Sequence, residues 1–163
     1  MLDPNADLSR SLDEAAGFIS SAKHVVALAG AGLSVESGIP PFRGPGGLWT
    51  KHGEPSNLSY REFARDPGEW WEARFRSEDK PGDPTYEMKV AVDLAEPNPG
   101  HRALVEMEEM DLLQCIVTQN VDNLHRVAGS RSLLEIHGNR TYLRCVGCGV
   151  RQPRAGYHFD SLP

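Results

Sequence analysis

The chemistry in this chain is carried by a paired glycine turn, a short run of amides ending in a carboxylate, one histidine and one pair of cysteines. Gly30 and Gly32 directly follow the apolar run 25–29. Glycine there lets the backbone turn sharply and bring N–H groups close to a ligand, an arrangement that suits phosphate. The general dinucleotide fingerprint needs a third glycine where Val35 stands, and no short crossover with a ribose-binding acid follows. Taken alone, Gly-Ala-Gly serves a tight turn as readily as a nucleotide. Gln119, Asn120 and Asp122 place two amides and a carboxylate within four positions. These groups match a pair of ribose hydroxyls and a carboxamide, although each alone is also a common helix cap. His137 is a candidate general base, since imidazole as a side-chain type suits that role near neutral pH, but a lone histidine at a strand end is more often structural than catalytic. Cys145 and Cys148 have the spacing of zinc ligands and supply half of one tetrahedral site.

Two apolar runs must hold these groups. Residues 25–29 and 112–117 read as parallel strands buried on both faces, and polar residues just past such strands are where open α/β sheets bind ligands. Cys115 lies inside the second run and is expected to be buried and inert. Leu8, Leu12, Ala15 and Ile19 fall at helical spacing, which predicts an amphipathic helix with its stripe in the core and Asp7 as N-cap. Ser59 to Glu62 has the form of a capping box opening a short helix. Pro67 opens another, carrying Trp70, Trp71 and Phe75, which read as core in preference to the lining of an acyl channel. Residues 77–87 read as an exposed loop. Asn98-Pro99 starts a helix with Leu104, Met107 and Met110 inward and His101 as a packing or capping residue.

The chain has 163 residues, 39% of them hydrophobic, enough for one domain with a real core. A net charge of −6 argues against non-specific binding of nucleic acid. The acidic opening is no secretory signal, no run reaches membrane-spanning length, and three cysteines suggest no disulfide framework. A soluble, cytoplasmic protein without internal repeats is expected.

Beyond the glycines, the first loop continues with Ser34, Ser37-Gly38-Ile39-Pro40 and Phe42-Arg43-Gly44. It resembles the sirtuins, NAD-dependent protein-lysine deacylases whose signature reads Gly-Ala-Gly-Ile-Ser, two residues, Ser-Gly-Ile-Pro-(Asp/Thr)-Phe-Arg. Leu33 replaces isoleucine, and Pro41 stands where the family has Asp or Thr, which removes a backbone donor and a side-chain hydrogen bond. Thr118-Gln119-Asn120-Val121-Asp122-Asn123-Leu124-His125 is similar to the family's second motif, with Val121 for isoleucine. Glu135-Ile136-His137-Gly138 is similar to its (Glu/Tyr)-(Leu/Met)-His-Gly motif.

This resemblance implies an α/β fold with a Rossmann-like parallel sheet, the N-terminal part of a sirtuin catalytic core. That part would span residues 1–138, including an inserted helical segment at about 53–97, with the start of a small zinc-binding module over 139–163. It implies NAD as cofactor, with Gly30, Ala31 and Gly32 bordering the diphosphate. Phe42 and Arg43 would close over the nicotinamide and reactive ribose, Ile39, Asn120 and Asp122 would line the nicotinamide pocket, and Gln119 would hold the ribose. Ser37, Trp49 and Val121 complete the implied cofactor set. The implied substrate is an acyl-lysine protein or peptide. Its acyl oxygen attacks the ribose as nicotinamide leaves, and His137, with Asn120 and Asp122 beside it, is the implied base that lets the acyl group move to ADP-ribose.

Exclusion of water would favour that transfer over hydrolysis. Sirtuins that prefer acidic acyl groups carry a Tyr-x-x-Arg pair after the glycine loop; Arg74 and Ser77 occupy those places here, so a deacetylase is expected over a desuccinylase, with Arg76 the candidate if the helix register is shifted. Structural zinc is implied with Cys145 and Cys148 as two of its four ligands. The family's second cysteine pair, its Gly-(Ser/Thr)-Ser loop and its later strands are not among these residues, so an incomplete catalytic core is expected. Rival readings are a non-catalytic NAD or ADP-ribose-binding module, which His137, Asn120 and Asp122 argue against, and an inert fragment, which the half zinc site favours. A zinc-ribbon nucleic-acid binder is the weakest. The oligomeric state is left open.

Overall fold

The computed structural model describes residues 4–54 and 60–155. Apolar β-formers give a three-stranded parallel sheet in the order β1 (Val26–Ala29), β2 (Cys115–Thr118), β3 (Leu133–Glu135). Parallel strands need long crossovers. From β1 to β2 the chain runs through a 3-10 helix (Ala31–Ser37) and five α-helices, α2 (Leu48–His52), α3 (Tyr60–Arg65), α4 (Pro67–Glu78), α5 (Pro84–Leu94) and α6 (Pro99–Glu109). From β2 to β3 it uses α7 (Leu124–Ala128), while α1 (Pro4–Ser21) precedes β1. An antiparallel hairpin, β4 (Tyr142–Arg144) with β5 (Arg151–Pro153), follows. The parallel α/β sheet expected from the two apolar runs is present.

Helices α4, α5 and α6 start alike. Asp66, Asp83 and Asn98 each accept backbone N–H groups at the N-cap, and proline follows in the first turn, where its missing N–H costs nothing. The predicted loop over 77–87 is therefore mostly helix: α4 runs to Glu78, and Asp83-Pro84 opens α5. The capping residue Ser59 lies outside the described residues. Asp7 does not cap α1; the helix already starts at Pro4, and Asp7 instead pairs with Arg10 at 2.9 Å in its first turns.

Burial is one-sided. The register aligns Ala27, Ile116 and Leu133 on one face of the sheet and Leu28, Val117 and Leu134 on the other. The first face forms the core, where Ala29, Leu113 and Ile116 pack with Leu33, Leu104 and Met107. The second face is open: Leu28 is 74% exposed, and Val26 and Leu134 are more than half exposed. The expectation of strands buried on both faces fails for β1, because no described element lies across that side. For the same reason the stripe of α1 is not core, with Leu8, Leu12 and Ala15 exposed and Ile19 half-buried, and Cys115, beside Val26 in the register, is half-buried rather than buried. Met110 is also exposed, since α6 ends at Glu109 and Met110 is its C-cap. Trp70, Trp71 and Phe75 are half-buried and contact one another, with Phe63 edge-on to Trp70. They form an aromatic ladder joining α3 to α4, apart from the core cluster under the sheet.

The helical segment and the hairpin are tied by ions. Glu78, almost fully buried, accepts from Arg74 Nε at 2.8 Å and from Arg154, just past β5, at 2.7 Å. Arg140, ahead of β4, pairs with Asp93 of α5 at 3.0 Å. Burial pushes the Glu78 carboxyl up, but the hydrogen bonds from Arg154 and Arg74 overcome it and hold it below the ordinary value.

Candidate active site

Because the three strands are parallel, their C-terminal ends deliver the 30–49, 119–123 and 136–140 segments to one edge. Residues 31–37, read as loop from their turn-forming types, coil into a 3-10 helix that ends at Gly38, whose φ of 88° suits glycine. That helix points Ser34 inward, where it is 1% exposed. Ser34 Oγ donates to Asp122 Oδ2 at 2.7 Å and accepts from Asn120 Nδ2 at 3.0 Å, and the same amide donates to the Gly30 carbonyl at 3.0 Å. Asp122 Oδ1 accepts from the Leu124 N–H at 2.9 Å, so the buried carboxylate is also held in place by the start of α7. One cluster thus joins the glycine turn to the amide run. Gln119 lies over the turn, its Nε2 3.7 Å from where a Cβ on Gly30 would sit.

His137 stands in the turn after β3 and is exposed. Both its flanks are tied to the amide segment. The Ile136 N–H donates to the Thr118 carbonyl at 3.1 Å and the Arg140 N–H to the Val121 carbonyl at 3.1 Å. Asn139 bonds Asn123 at 2.7 Å and Glu135 at 2.6 Å, while Arg126 grips Glu135 through two nitrogens. The structure therefore brings His137 to the same edge as Gln119 to Asp122.

The loop from Ile39 to Trp49 folds on itself. Ile39 is buried, whereas Phe42 and Arg43 are exposed against Trp49, with Phe42 and Trp49 ring centroids 4.9 Å apart and the Arg43 guanidinium 4.7 Å from the indole. The Pro41 carbonyl accepts from Leu48 N at 2.9 Å, so the loop closes through the one backbone group that proline keeps. Gly47 is needed for this closure: a Cβ there would lie 2.8 Å from the backbone of Phe42 and Arg43.

Two further residues belong to the site that the motifs alone did not reveal. Asn98, read only as a helix start, also donates from Nδ2 to the Leu33 carbonyl at 2.7 Å and to Ser37 Oγ at 3.0 Å, fixing the 3-10 helix from α6. His101 and His125 are buried against each other, ring centroids 5.0 Å apart, with no hydrogen-bond partner among the described residues at any of their four ring nitrogens. Burial holds both below the ordinary imidazole range; Asp122 pulls each the other way but loses to it. The packing role expected of His101 fits this position.

Cys145 and Cys148 are exposed in the turn of the β4–β5 hairpin. The N–H groups of Cys148 and Gly147 point at the Cys145 sulfur and hold its thiol below the ordinary value. Among the described residues no three His, Cys, Asp or Glu side chains gather as a metal site, and no helix is long and apolar enough to cross a membrane.

Fold and site together define a Rossmann-like α/β unit with a polar cluster at the carboxyl edge of its sheet. A family model described as the Sir2 family matches residues 30–160, and the chain belongs to that family. A protein named NAD-dependent protein deacylase from Pyrococcus abyssi is 43% identical over 141 residues, covering 85% of this chain and 51% of that protein. Among solved structures, a Sir2 homolog–NAD complex is 37% identical with a TM-score of 0.63, covering 86% of this chain and 51% of that one. A Sir2 variant holding a deacetylated p53 peptide and 3'-O-acetyl ADP-ribose is 32% identical with a TM-score of 0.67, covering 87% and 53%. The chain spans about half the length of these relatives.

Proposed function

We propose that this edge is the nicotinamide-ribose half of an NAD-dependent protein-lysine deacylase site, which passes an acyl group from lysine of a protein or peptide to ADP-ribose. The observation that carries the reading is the buried Ser34–Asn120–Asp122 cluster. It spends the Asn120 amino group internally and leaves Asn120 Oδ1 and the Gln119 amide without partners among the described residues. Those groups suit a carboxamide and a ribose diol, so the residues fit NAD. NAD, when bound, supplies a glycosidic bond activated for displacement. The chain's residues do the rest: the Gly30, Ala31 and Gly32 backbone borders the diphosphate, Ile39, Val121 and Asp122 wall the carboxamide, and Ser37 steadies the turn. Phe42, Arg43 and Trp49 cover the ribose and exclude water, and His137 takes the proton from a ribose hydroxyl.

Arg74 is already held by Glu78, and Arg76 lies at an exposed position 3.6 Å from Glu72, so neither is presented to an acidic acyl group. This supports acetyl over succinyl. We also infer that Cys145 and Cys148 supply two of four structural zinc ligands; two exposed thiols on one turn fit half a tetrahedron. The test of the reaction is nicotinamide release from NAD with an acetyl-lysine peptide. Multiple-turnover release that needs the peptide and falls at least about a hundredfold in His137→Ala is expected, because each turnover waits on the proton step that follows nicotinamide departure. Equal release by the variant would remove His137 from the role of base, and no release with both substrates present would remove the activity from this chain.

A further inference from the structure

We propose that Asn98 is a positioning residue for the cofactor loop: apart from capping α6, its amide sets the fraction of molecules whose 3-10 helix stands ready to bind NAD. This rests on the reading of the sheet edge as the cofactor site. Its first support is a contrast within the chain. Helices α4, α5 and α6 all open on an Asp or Asn followed by proline, and Asp66 and Asp83 cap the first two with a carboxylate oxygen. Asp, Asn and Ser cap a helix about equally well, so capping alone gives no reason for asparagine at α6. What the amide adds is a donor.

Both halves of that amide are used. Oδ1 accepts from the Gly100 N–H at 2.9 Å and the His101 N–H at 3.3 Å, which is the cap. Nδ2 donates to the Leu33 carbonyl at 2.7 Å and to Ser37 Oγ at 3.0 Å. Those two anchors flank Ser34, whose hydroxyl joins Asn120 to Asp122. Asn98 is 7% exposed, so little water is at hand to replace either bond.

Packing points the same way. Gly100, in the first turn of α6, faces the 3-10 helix: a Cβ there would lie 2.9 Å from Leu33 Cδ1, and Leu33 would have to move. Glycine is a poor helix former, and this close approach accounts for its place. His101, fully buried beside it, rests on His125 of α7, and the Leu124 N–H that opens α7 holds Asp122 Oδ1. The first turn of α6 therefore supports the Ser34–Asn120–Asp122 cluster from both sides, through Asn98 on one and His101 on the other. Once the donor is lost, the 3-10 helix is free to take other arrangements, and NAD affinity falls with the fraction that stays competent.

Asn98→Ser and Asn98→Asp both keep an acceptor for the cap and lose the donor. The 163-residue chain and both variants should be titrated with NAD by calorimetry. NMR should follow the Leu33 carbonyl carbon and the deuterium exchange of the Gly38 and Ile39 amides, which bond back to Val35 and Ser34. Expected in each variant are an NAD dissociation constant raised at least about fivefold, a shifted Leu33 carbonyl, and faster exchange at Gly38 and Ile39 with the Arg102 amide of α6 unchanged. Asn98→Ser, which adds no charge, decides the matter should the buried carboxylate of Asn98→Asp prevent folding. Glu78→Ala weakens the fold away from this loop and should keep the wild-type affinity, which tells lost stability from lost positioning. Wild-type affinity in Asn98→Ser would overturn the proposal and leave the cofactor reading standing. Faster exchange throughout α6 would reduce Asn98 to a cap and overturn it as well, and no NAD binding by the wild-type chain would overturn both.

Discussion

At the scale of single residues, the site is a problem of buried polar groups that satisfy one another. Ser34 donates to Asp122 and accepts from Asn120, so Ser34→Ala strands a buried carboxylate oxygen and leaves the Asn120 amide with the Gly30 carbonyl alone. A loss of about 1–3 kcal/mol in urea unfolding is expected, together with weakened NAD binding; unchanged values in both would show that the cluster holds nothing. The histidine pair behaves in the opposite sense. His101 and His125 are held below the ordinary imidazole value by burial, so both stay neutral in the fold while the unfolded chain protonates near pH 6.5. A folded pKa that is depressed on a base means stability is full above about pH 6.5 and falls as the pH drops below it, by up to about 2.7 kcal/mol per pH unit for two protons. Urea midpoints at pH 7.5 and 5.5 should show this loss, and a His101→Gln, His125→Gln double variant should flatten it. A wild-type midpoint that holds steady over that range would contradict the neutral pair.

Elements show what the sequence could and could not disclose. Asp66-Pro67 and Asn98-Pro99 announce α4 and α6, because an N-cap acid or amide followed by proline is a local signal. Asp83-Pro84 carries the same signal for α5, hidden among the turn-forming residues around it. The motif residues 118–125 and 135–138 lie at the sheet edge where strand ends place ligands, as read. Contacts across long stretches were not legible. Asn98 reaches the Leu33 carbonyl 65 positions away, and His101 meets His125 only because α6 and α7 pack together. Burial was overread for α1 and β1, since an apolar stripe states what a face would accept and not what covers it. The bridge from α4 to the hairpin was equally invisible. Glu78→Ala, which leaves Arg74 and Arg154 without their shared carboxylate, should cost about 3 kcal/mol in thermal or urea unfolding. The Glu78 carboxyl is held low, so its contribution is present at neutral pH and is lost as the pH falls through its folded value. A cost below about 0.5 kcal/mol would mean that the bridge is no more than a surface contact.

Across the whole molecule, one face of a parallel sheet and the apolar stripe of α1 stand uncovered, although parallel sheets are ordinarily covered on both sides. The chain also spans about half the length of its Sir2-family relatives. Yet the polar edge is internally complete: the glycine turn, the amide run and the histidine turn are tied by hydrogen bonds among Gly30, Ser34, Thr118, Asn120, Val121 and Asp122. Recognition of the nicotinamide-ribose end can therefore be sought in this chain itself. The most direct measurement is the amide and indole NMR spectrum of the 163-residue chain titrated with NAD, beside Asp122→Asn. Saturable shifts at Gly30 to Ser34, Trp49, Gln119 to Asp122 and His137, lost in the variant, are expected. A spectrum unmoved at those residues by millimolar NAD would contradict the assignment of this edge as the cofactor site.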